Sequence, residues 1–184
     1  AIRLSIAGNI LDMAVEQHRQ DLWGVVERVL AQPFAIDDGP AFRQALGRVK
    51  QILYLADNTG ETVFDRVLIE TLDRPVTYAV KGGPILNDAT REDALAAGLD
   101  QVAEVVSTGS DAPGTILDRC SASFQTLYRQ AELIVAKGQA NYETLSERRD
   151  NLFFLLQTKC PVIARDVGVP VGSIVFKHAR NSAA

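Results

Sequence analysis

The sequence has few cysteines and no large excess of positive or negative charge, and these two features exclude several classes of protein. Cys120 and Cys160 are its only cysteines and form no C-x-x-C pair, so neither a disulfide framework nor a structural zinc site is indicated. Nineteen basic and 23 acidic residues give a net charge of −4 without a dense basic stripe, which argues against a nucleic-acid partner. No apolar run reaches the roughly 18 residues of a membrane span. We therefore expect a soluble, cytoplasmic protein that binds neither nucleic acid nor membrane.

Three catalytic motifs are also absent. The chain has no G-x-S-x-G, no G-x-G-x-x-G and no H-x-x-x-H string, which argues against a serine hydrolase, a standard dinucleotide-binding fold and a zincin. The two histidines, His18 and His178, lie near the two ends of the chain, and we expect neither to act as a general base.

From residue 52 onward, apolar strands alternate with amphipathic helices, which predicts an α/β fold. The strands read as continuous runs of Val, Ile and Leu, the pattern of parallel strands that are buried on both faces. This alternation requires right-handed crossovers, so we expect a three-layer, doubly wound, mainly parallel sheet of the Rossmann-like type. The predicted strands are Ile52–Ala56, Val76–Val80, Val105–Val106, Leu133–Ala136, Leu152–Leu156 and Ser173–Phe176. The predicted helices are Thr62–Leu72, Thr90–Ala97, Ala122–Gln130 and Glu143–Arg149.

The first 50 residues have the pattern of helices. Apolar positions recur at helical spacing over Ala1–Val15, where Gly8 and Asn9 interrupt them, and again over Asp21–Leu30 and Pro40–Val49. We expect residues 1–50 to form a helical cap, truncated at its N-terminus because the chain opens inside a buried pattern. Residues 51–184 would form the metal- and phosphate-binding core, with both parts in one compact unit.

Polar residues follow four of the predicted strands at the point where each apolar run stops. They are Asp57 with Asn58, Lys81, Ser107, and Lys137. Because ligands of open α/β sheets bind beyond the carboxyl ends of the strands, these side chains are expected to meet at one edge. Two cations, an acid, an amide and several glycines there indicate a site for an anionic, metal-associated ligand, and hence an enzyme.

The string Asp57–Glu61 carries the first candidate chemistry. Asp57 and Asn58 supply the hard oxygen ligands that suit Mg²⁺ or Mn²⁺, and Gly60 lets a ligand approach the backbone at a helix N-terminus. The alternative is that Asp57 or Thr59 merely caps the following helix.

A second polar loop, Lys81–Thr90, is rich in Gly and Pro yet apolar at its centre, so we expect it to fold back over the sheet edge. That course would deliver Asp88 beside Asp57 as a third oxygen ligand. The alternative is again a helix cap, and Asp93 is interpreted as a partner of the helix dipole.

Two lysines would add positive charge at the same edge. Lys137 and Gly138 precede a predicted helix in the manner of a phosphate cradle, although their spacing is not that of a Walker loop. Lys159 follows the next strand. The alternative is that both are ordinary solvated lysines, but two of them facing a carboxylate pair favour an anion site.

Five strings of the sequence resemble the damage-control phosphatase family, formerly domain of unknown function 89, and are most similar to its compact archaeal and bacterial branch. They occur in order over nearly the whole chain, as Ala7–Asp12, Asp57–Glu61, Gly83–Thr90, Lys137–Glu143 and Thr158–Cys160. Members of that branch begin with a further helical segment, and almost nothing precedes the first string here, which again implies a truncated cap.

The resemblance implies a set of site residues. In that family an Asp-Asn pair and a later Asp bind one divalent metal ion (Mn, Ni, Co or Mg); the matching residues are Asp57, Asn58 and Asp88. Two lysine-containing strings contact the substrate phosphate; the matching residues are Lys137, Asn141 and Lys159. A Gly-Asn-x-x-Asp string lines the pocket; the matching residues are Asn9 and Asp12. The residues expected to act in catalysis are Asp57, Asp88 and Lys159.

These observations predict a metal-dependent phosphomonoester hydrolase for small phosphorylated metabolites such as sugar phosphates. The sequence admits two roles for Asp57, metal ligand and direct nucleophile. One alternative function is an S-adenosylmethionine-dependent carboxyl methyltransferase, an activity also proposed for distant relatives of the damage-control phosphatase family. The sequence lacks a glycine-rich first loop, and its paired lysines suit an anion more than a sulfonium, so both features disfavour this alternative. The other alternative is a non-catalytic module that binds phosphometabolites.

Overall fold

Strands and helices alternate along the chain as the sequence predicts. A computed structural model describes residues 1–8 and 22–179. The strands are β1 (Ile36–Asp37), β2 (Ile52–Leu55), β3 (Val76–Val80), β4 (Glu104–Ser107), β5 (Ile134–Lys137), β6 (Leu152–Gln157) and β7 (Ile174–His178). The helices are α1 (residues 2–8), α2 (Leu22–Ala31), α3 (Gly39–Leu46), α4 (Thr62–Ile69), α5 (Arg91–Ala96), α6 (Ala122–Gln130), α7 (Gly138–Leu145) and α8 (Pro161–Val167). Short 3-10 turns occupy Thr59–Glu61, Leu99–Gln101 and Leu117–Arg119.

All the strands belong to one sheet, in the order β1-β7-β6-β5-β2-β3-β4. The five strands from β2 to β6 are parallel, β7 pairs antiparallel with β6, and β1 pairs parallel with β7. The chain runs outward from β2 through β3 to β4, then returns to the other side of β2 as β5. The predicted mainly parallel, doubly wound sheet is confirmed, and its strand order reverses between β2 and β5.

The two faces of the sheet bury two separate apolar cores, because successive strand residues point to opposite faces. On β2, Ile52 and Tyr54 join the core beneath the first five helices, whereas Leu53 and Leu55 join the core beneath α6, α7 and α8. The sheet therefore lies between two helical layers, as the alternation of strands and helices predicts.

Helix α7 begins at a different residue from the one predicted, and two elements, β1 and α8, have no counterpart among the predicted strands and helices. Helix α7 begins at Gly138 rather than at Glu143, because Gly138 adopts φ +76° and lets the chain turn from β5 into a helix within one residue. Strand β1 has only two residues, too few to show a period, and α8 begins directly at Pro161, a favoured first helical position.

The division at residue 50 stays a prediction, although β1 brings part of the N-terminal segment into the sheet. Within the two described stretches, none of the helices has the length and apolar character needed to cross a membrane.

His178 ends β7 and stacks on Phe153, with ring centroids 4.3 Å apart, at the edge opposite the carboxyl ends of the parallel strands. His18 lies outside the described residues.

Candidate metal and phosphate site

The candidate site lies where the strand order reverses, a position at which doubly wound sheets bind their ligands. Asp57 follows β2 and Gly138 follows β5, and the two strands are neighbours. The backbone of Gly138 rests against the carboxylate of Asp57 so closely that an added Cβ would come within 1.7 Å of Asp57 Oδ2. The start of α7 therefore forms the floor beneath this carboxylate.

The loop after β3 returns to the same place, as its composition predicts. Asn58 and Asp88 form an isolated antiparallel bridge. The backbone N–H of Thr59 donates to the carbonyl of Asn87 at 2.8 Å, and the N–H of Ala89 donates to the carbonyl of Asp57 at 2.7 Å. These backbone bonds bring Asp57, Asn58 and Asp88 together in one small region.

Helix capping does not account for these residues. The N-cap positions of the 3-10 turn and of α4 are Asn58 and Glu61, and neither forms a side-chain capping bond. The N-cap of α5 is Thr90, which forms a capping box with Asp93. The structural interpretation of Asp93 is thereby supported, and Asp88 lies outside the cap.

The carboxylates of Asp57 and Asp88 occupy a buried and negatively charged environment. Burial, followed by the neighbouring carboxylates of Glu61 and Asp88, raises the pKa of Asp57 from 3.8 to about 8. Two lysines oppose this shift, Lys137 and Lys159. Burial also raises the pKa of Asp88, and the neighbouring Lys81 opposes it. Ionised carboxylates in this position therefore favour an added cation.

Lys81 holds the Asp88 loop in place. Its Nζ lies 3.3 Å from Asp88 Oδ2 and donates to the carbonyls of Ala112 and Gly114, and only 6% of the residue is exposed. Because each acceptor belongs to a loop at the carboxyl edge, Lys81 ties the loop after β3 to the loop after β4. It neutralises Asp88 from inside the protein.

Lys137 lies in the interior, which differs from the solvent-facing position that phosphate contact requires. It is the last residue of β5 and, by strand alternation, points with Val135 toward the α1 and α4 layer. Its Nζ donates to Glu61 Oε2 and Asp65 Oδ1, both at 2.6 Å, and to the carbonyl of Ser5 at 3.0 Å. These three bonds use all three donors of the ammonium group.

Asp65 is the centre of a buried network beneath the site. It accepts hydrogen bonds from Ser5 Oγ at 2.8 Å, from Tyr54 OH at 2.7 Å and from Tyr78 OH at 2.9 Å, in addition to the one from Lys137. Burial, and then the charge of Asp65, raises the pKa of both tyrosines well above 10, so both remain protonated donors.

Asn141 is also satisfied within the protein. Its Nδ2 donates to the carbonyls of Ala56 and Lys137, and its Oδ1 accepts from Thr115 Oγ1 at 2.7 Å. Asn141 therefore joins the ends of β2 and β5. Its contact with substrate phosphate, like that of Lys137, stays a prediction that this placement does not support.

Lys159 lies near Asp57, and its contact with substrate phosphate stays a prediction. It is half-buried, its charge lowers the pKa of Asp57, and its backbone N–H donates to Gln139 Oε1 on α7 at 3.0 Å. It thus lies at the rim of the site rather than beneath it. The other predicted pocket residues, Asn9 and Asp12, lie outside the described residues.

The residues present fit a divalent cation. At this edge the described chain buries four carboxylates, those of Asp57, Glu61, Asp65 and Asp88. Three lysines accompany them, Lys81, Lys137 and Lys159. One negative charge remains in excess when all are ionised. The buried Asp88 Oδ2 makes no hydrogen bond of good geometry, and the described contact that balances its charge is the 3.3 Å ion pair with Lys81.

The predicted donor set is two carboxylates and one amide oxygen, a combination that suits Mg²⁺ or Mn²⁺. No cluster of three His, Cys, Asp or Glu side chains with metal-site geometry occurs within residues 1–8 and 22–179.

Gly138 gives a direct test of this geometry. We expect Gly138→Ala to lower metal affinity and turnover by at least about tenfold, since the new methyl group displaces the Asp57 carboxylate and the φ of +76° disfavours alanine. Gly168→Ala, at φ +82° with no atom within 4 Å of the added Cβ, is the matched control for the backbone effect alone. Equal losses in Mn²⁺ affinity by calorimetry for both variants would contradict the contact with Asp57.

Comparison with known proteins identifies the family. The damage-control phosphatase ARMT1-like domain matches residues 1–175. The chain belongs to this family. A damage-control phosphatase of Pyrococcus horikoshii is 43% identical over 180 residues, which cover 95% of this chain and 63% of the relative. A damage-control phosphatase of Archaeoglobus fulgidus is 37% identical over 185 residues, which cover 96% of this chain and 64% of the relative.

The fold agrees with that of a solved member of the family. The crystal structure of a DUF89 family protein from Pyrococcus horikoshii matches with a TM-score of 0.90 and 42% identity, covering 97% of this chain and 64% of that chain. The chain thus spans somewhat less than two thirds of the length of these relatives.

Two buried residues of this damage-control phosphatase domain, Glu61 and Asp65, were not among the predicted site residues, and Lys81 was predicted only as a cation at the strand ends. A signal existed for the two acids. Glu61 belongs to the quoted Asp57–Glu61 string, and Asp65 follows it by four residues on α4, which places both acids on one helix face. Lys81 follows β3 at the polar edge, but its role in holding Asp88 depends on the loop after β4.

Proposed function

We propose that the protein is a metal-dependent phosphatase that hydrolyses small phosphorylated metabolites, of which sugar phosphates are the leading class. The observation that carries this proposal is the meeting of two buried carboxylates, Asp57 and Asp88, with the Asn58 amide at the strand-order reversal, under the rim lysine Lys159. The names of the relatives support the same reaction.

Each residue would have a defined role. Asp57, Asn58 and Asp88 would hold one divalent ion, which when bound would polarise the phosphoryl group and orient or activate water. Lys159 would neutralise charge on the phosphoryl oxygens. Lys137 and Asn141 would serve the site from beneath, by fixing the elements that carry the ligands.

The proposal is tested by phosphate release from a panel of sugar phosphates after chelation and after addition of Mn²⁺, Co²⁺, Ni²⁺ or Mg²⁺. We expect hydrolysis that is lost on chelation and restored by at least one ion. Methyl transfer from S-adenosylmethionine without phosphate release would favour the methyltransferase, and phosphate-ester binding without turnover would favour a binding module.

Lys159→Met separates these functions further. A charge-assisted hydrogen bond is worth about 1.5–3 kcal/mol, so we expect kcat/KM to fall roughly 10- to 150-fold, with weaker binding of inorganic phosphate and unchanged metal affinity. Lys50→Met is the matched control, since Lys50 is exposed and precedes β2 at the opposite edge. Phosphate affinity equal to wild type, measured by calorimetry with the metal present, would remove Lys159 from the site.

A further inference from the structure

Glu61 is a fully buried carboxylate that lies between two functional side chains. Its Oε1 accepts from Asn58 Nδ2 at 3.1 Å, and its Oε2 accepts from Lys137 Nζ at 2.6 Å. No part of Glu61 is exposed, so it is placed to act through its neighbours rather than on a substrate.

The donors and acceptors of Lys137, Glu61 and Asn58 fix which group donates and which accepts in each of these two hydrogen bonds. An ammonium group only donates and a carboxylate only accepts, so Glu61 must accept from Lys137 and from Asn58. The end of the Asn58 amide that faces Glu61 is therefore the NH₂ group. Its carbonyl oxygen, which is the only end able to bind a cation, is turned away from Glu61.

The surrounding structure leaves Glu61 little freedom to change this arrangement. Helix α1 packs directly on it: an added Cβ on Gly8 would come within 3.0 Å of the Glu61 Cα and 3.2 Å of its Cγ. The carbonyl of Ser5, also on α1, accepts from Lys137. The carboxylate is thus clamped between α1 and α4.

We propose that Glu61 is a positioning residue that sets which end of the Asn58 amide faces the metal. Lys137 can only donate, so Glu61 accepts from it and also accepts from the NH₂ group of Asn58. The Asn58 oxygen is then the end of the amide that faces the metal. The inference rests on the metal site of the proposed function, and it extends that site to two residues that do not touch the metal.

Glu61→Gln tests the inference, because the introduced glutamine should present a donor to Asn58 where glutamate presents an acceptor. Lys137 has no acceptor, so the glutamine side chain is forced to turn its oxygen toward Lys137 and its NH₂ toward Asn58. Asn58 must then flip and present its own NH₂ to the cation. We expect Mn²⁺ affinity, measured by calorimetry, to fall about 10- to 100-fold, the range typical of residues that orient metal ligands.

A charge-conserving swap should restore binding. In the Glu61→Gln, Asn58→Asp double variant, the acid and the amide exchange places. The introduced carboxylate then accepts from the NH₂ of the introduced glutamine while presenting oxygen to the metal, so we expect Mn²⁺ affinity within about threefold of wild type. Asn58→Asp alone places two acceptors face to face, so it should not bind Mn²⁺ more tightly than wild type. Thermal unfolding of the metal-free variants confirms that each is folded.

Three results would overturn the inference. They are wild-type Mn²⁺ affinity in Glu61→Gln, failure of the double variant to recover, and tighter binding by Asn58→Asp alone, which would show that net charge rather than amide orientation controls affinity. Absence of Mn²⁺ binding by the wild-type protein would overturn it together with the metal site. If the affinities follow the expected order but no phosphate ester is hydrolysed, the positioning role stands and the phosphatase function fails.

Discussion

Asp57→Asn and Asp88→Asn are each expected to abolish metal-dependent turnover, with a loss greater than about 10²-fold, while leaving the fold intact. Each change removes one of the two proposed anionic metal ligands, and with it several kcal/mol of charge stabilisation. Steady-state phosphate release at saturating Mn²⁺ measures the loss. Asp73→Asn is the control, because its side chain is fully exposed in the turn before β3, at the opposite edge of the sheet.

The metal-free Asp57→Asn protein should be at least as stable as the wild type, although its turnover is lost. The pKa of Asp57 is raised in the folded state, to about 8 from 3.8, so the ionised carboxylate costs stability above its unfolded pKa, and the cost grows as the pH rises toward 8. Asparagine removes this cost. A melting temperature at pH 7 that equals or exceeds wild type, together with lost turnover, would separate a catalytic effect from unfolding. Near-normal turnover in both variants would contradict the assignment of the ligands.

Lys137→Met is expected to have the largest effect on stability, a loss of about 3–5 kcal/mol in the free energy of unfolding. The substitution leaves Glu61 and Asp65 buried without the ammonium group that both contact at 2.6 Å. Chemical denaturation of the protein without metal or phosphate measures the loss. Lys137→Met with Asp65→Asn should recover part of it, because one fewer buried carboxylate is left unpaired.

This result also decides between two roles for Lys137. If the side chain contacts substrate phosphate, as the sequence string implies, Lys137→Met should mainly weaken phosphate binding and leave the free protein near wild-type stability. If it is the buried cation seen here, stability falls before any ligand is added. Lys50→Met makes the same substitution at an exposed lysine, so its free energy of unfolding should lie within about 0.5 kcal/mol of the wild-type value.

The sequence predicted those parts of the site that depend on strand ends. The apolar run before Asp57 ends where β2 ends, and the Gly- and Pro-rich loop returns Asp88 to the same edge, so the candidate ligands were found from residue order alone. Lys137 was placed at the edge for the same reason. The structure extends β5 by one residue to include it, and strand alternation then turns its side chain inward.

The network beneath the site could not be predicted from local pattern. Asp65 gathers side chains from α1, β2, β3 and β5, which are far apart in the chain, and the pairing exists only once the sheet and helices have packed. The sequence indicates that Gly138 belongs to a phosphate cradle, but its φ of +76° depends on how sharply β5 turns into α7. Helix α7 was therefore predicted to begin five residues too late.

Anomalous diffraction from crystals grown with Mn²⁺ and inorganic phosphate would test most directly whether this edge of the sheet is a metal and phosphate site. We expect one Mn²⁺ bound by oxygens of Asp57, Asn58 and Asp88 at about 2.2 Å, between the usual Mg²⁺ and Ca²⁺ distances, with the phosphate between the metal and Lys159 Nζ. A metal peak elsewhere, or no peak at a concentration that supports phosphate release, would contradict the assignment.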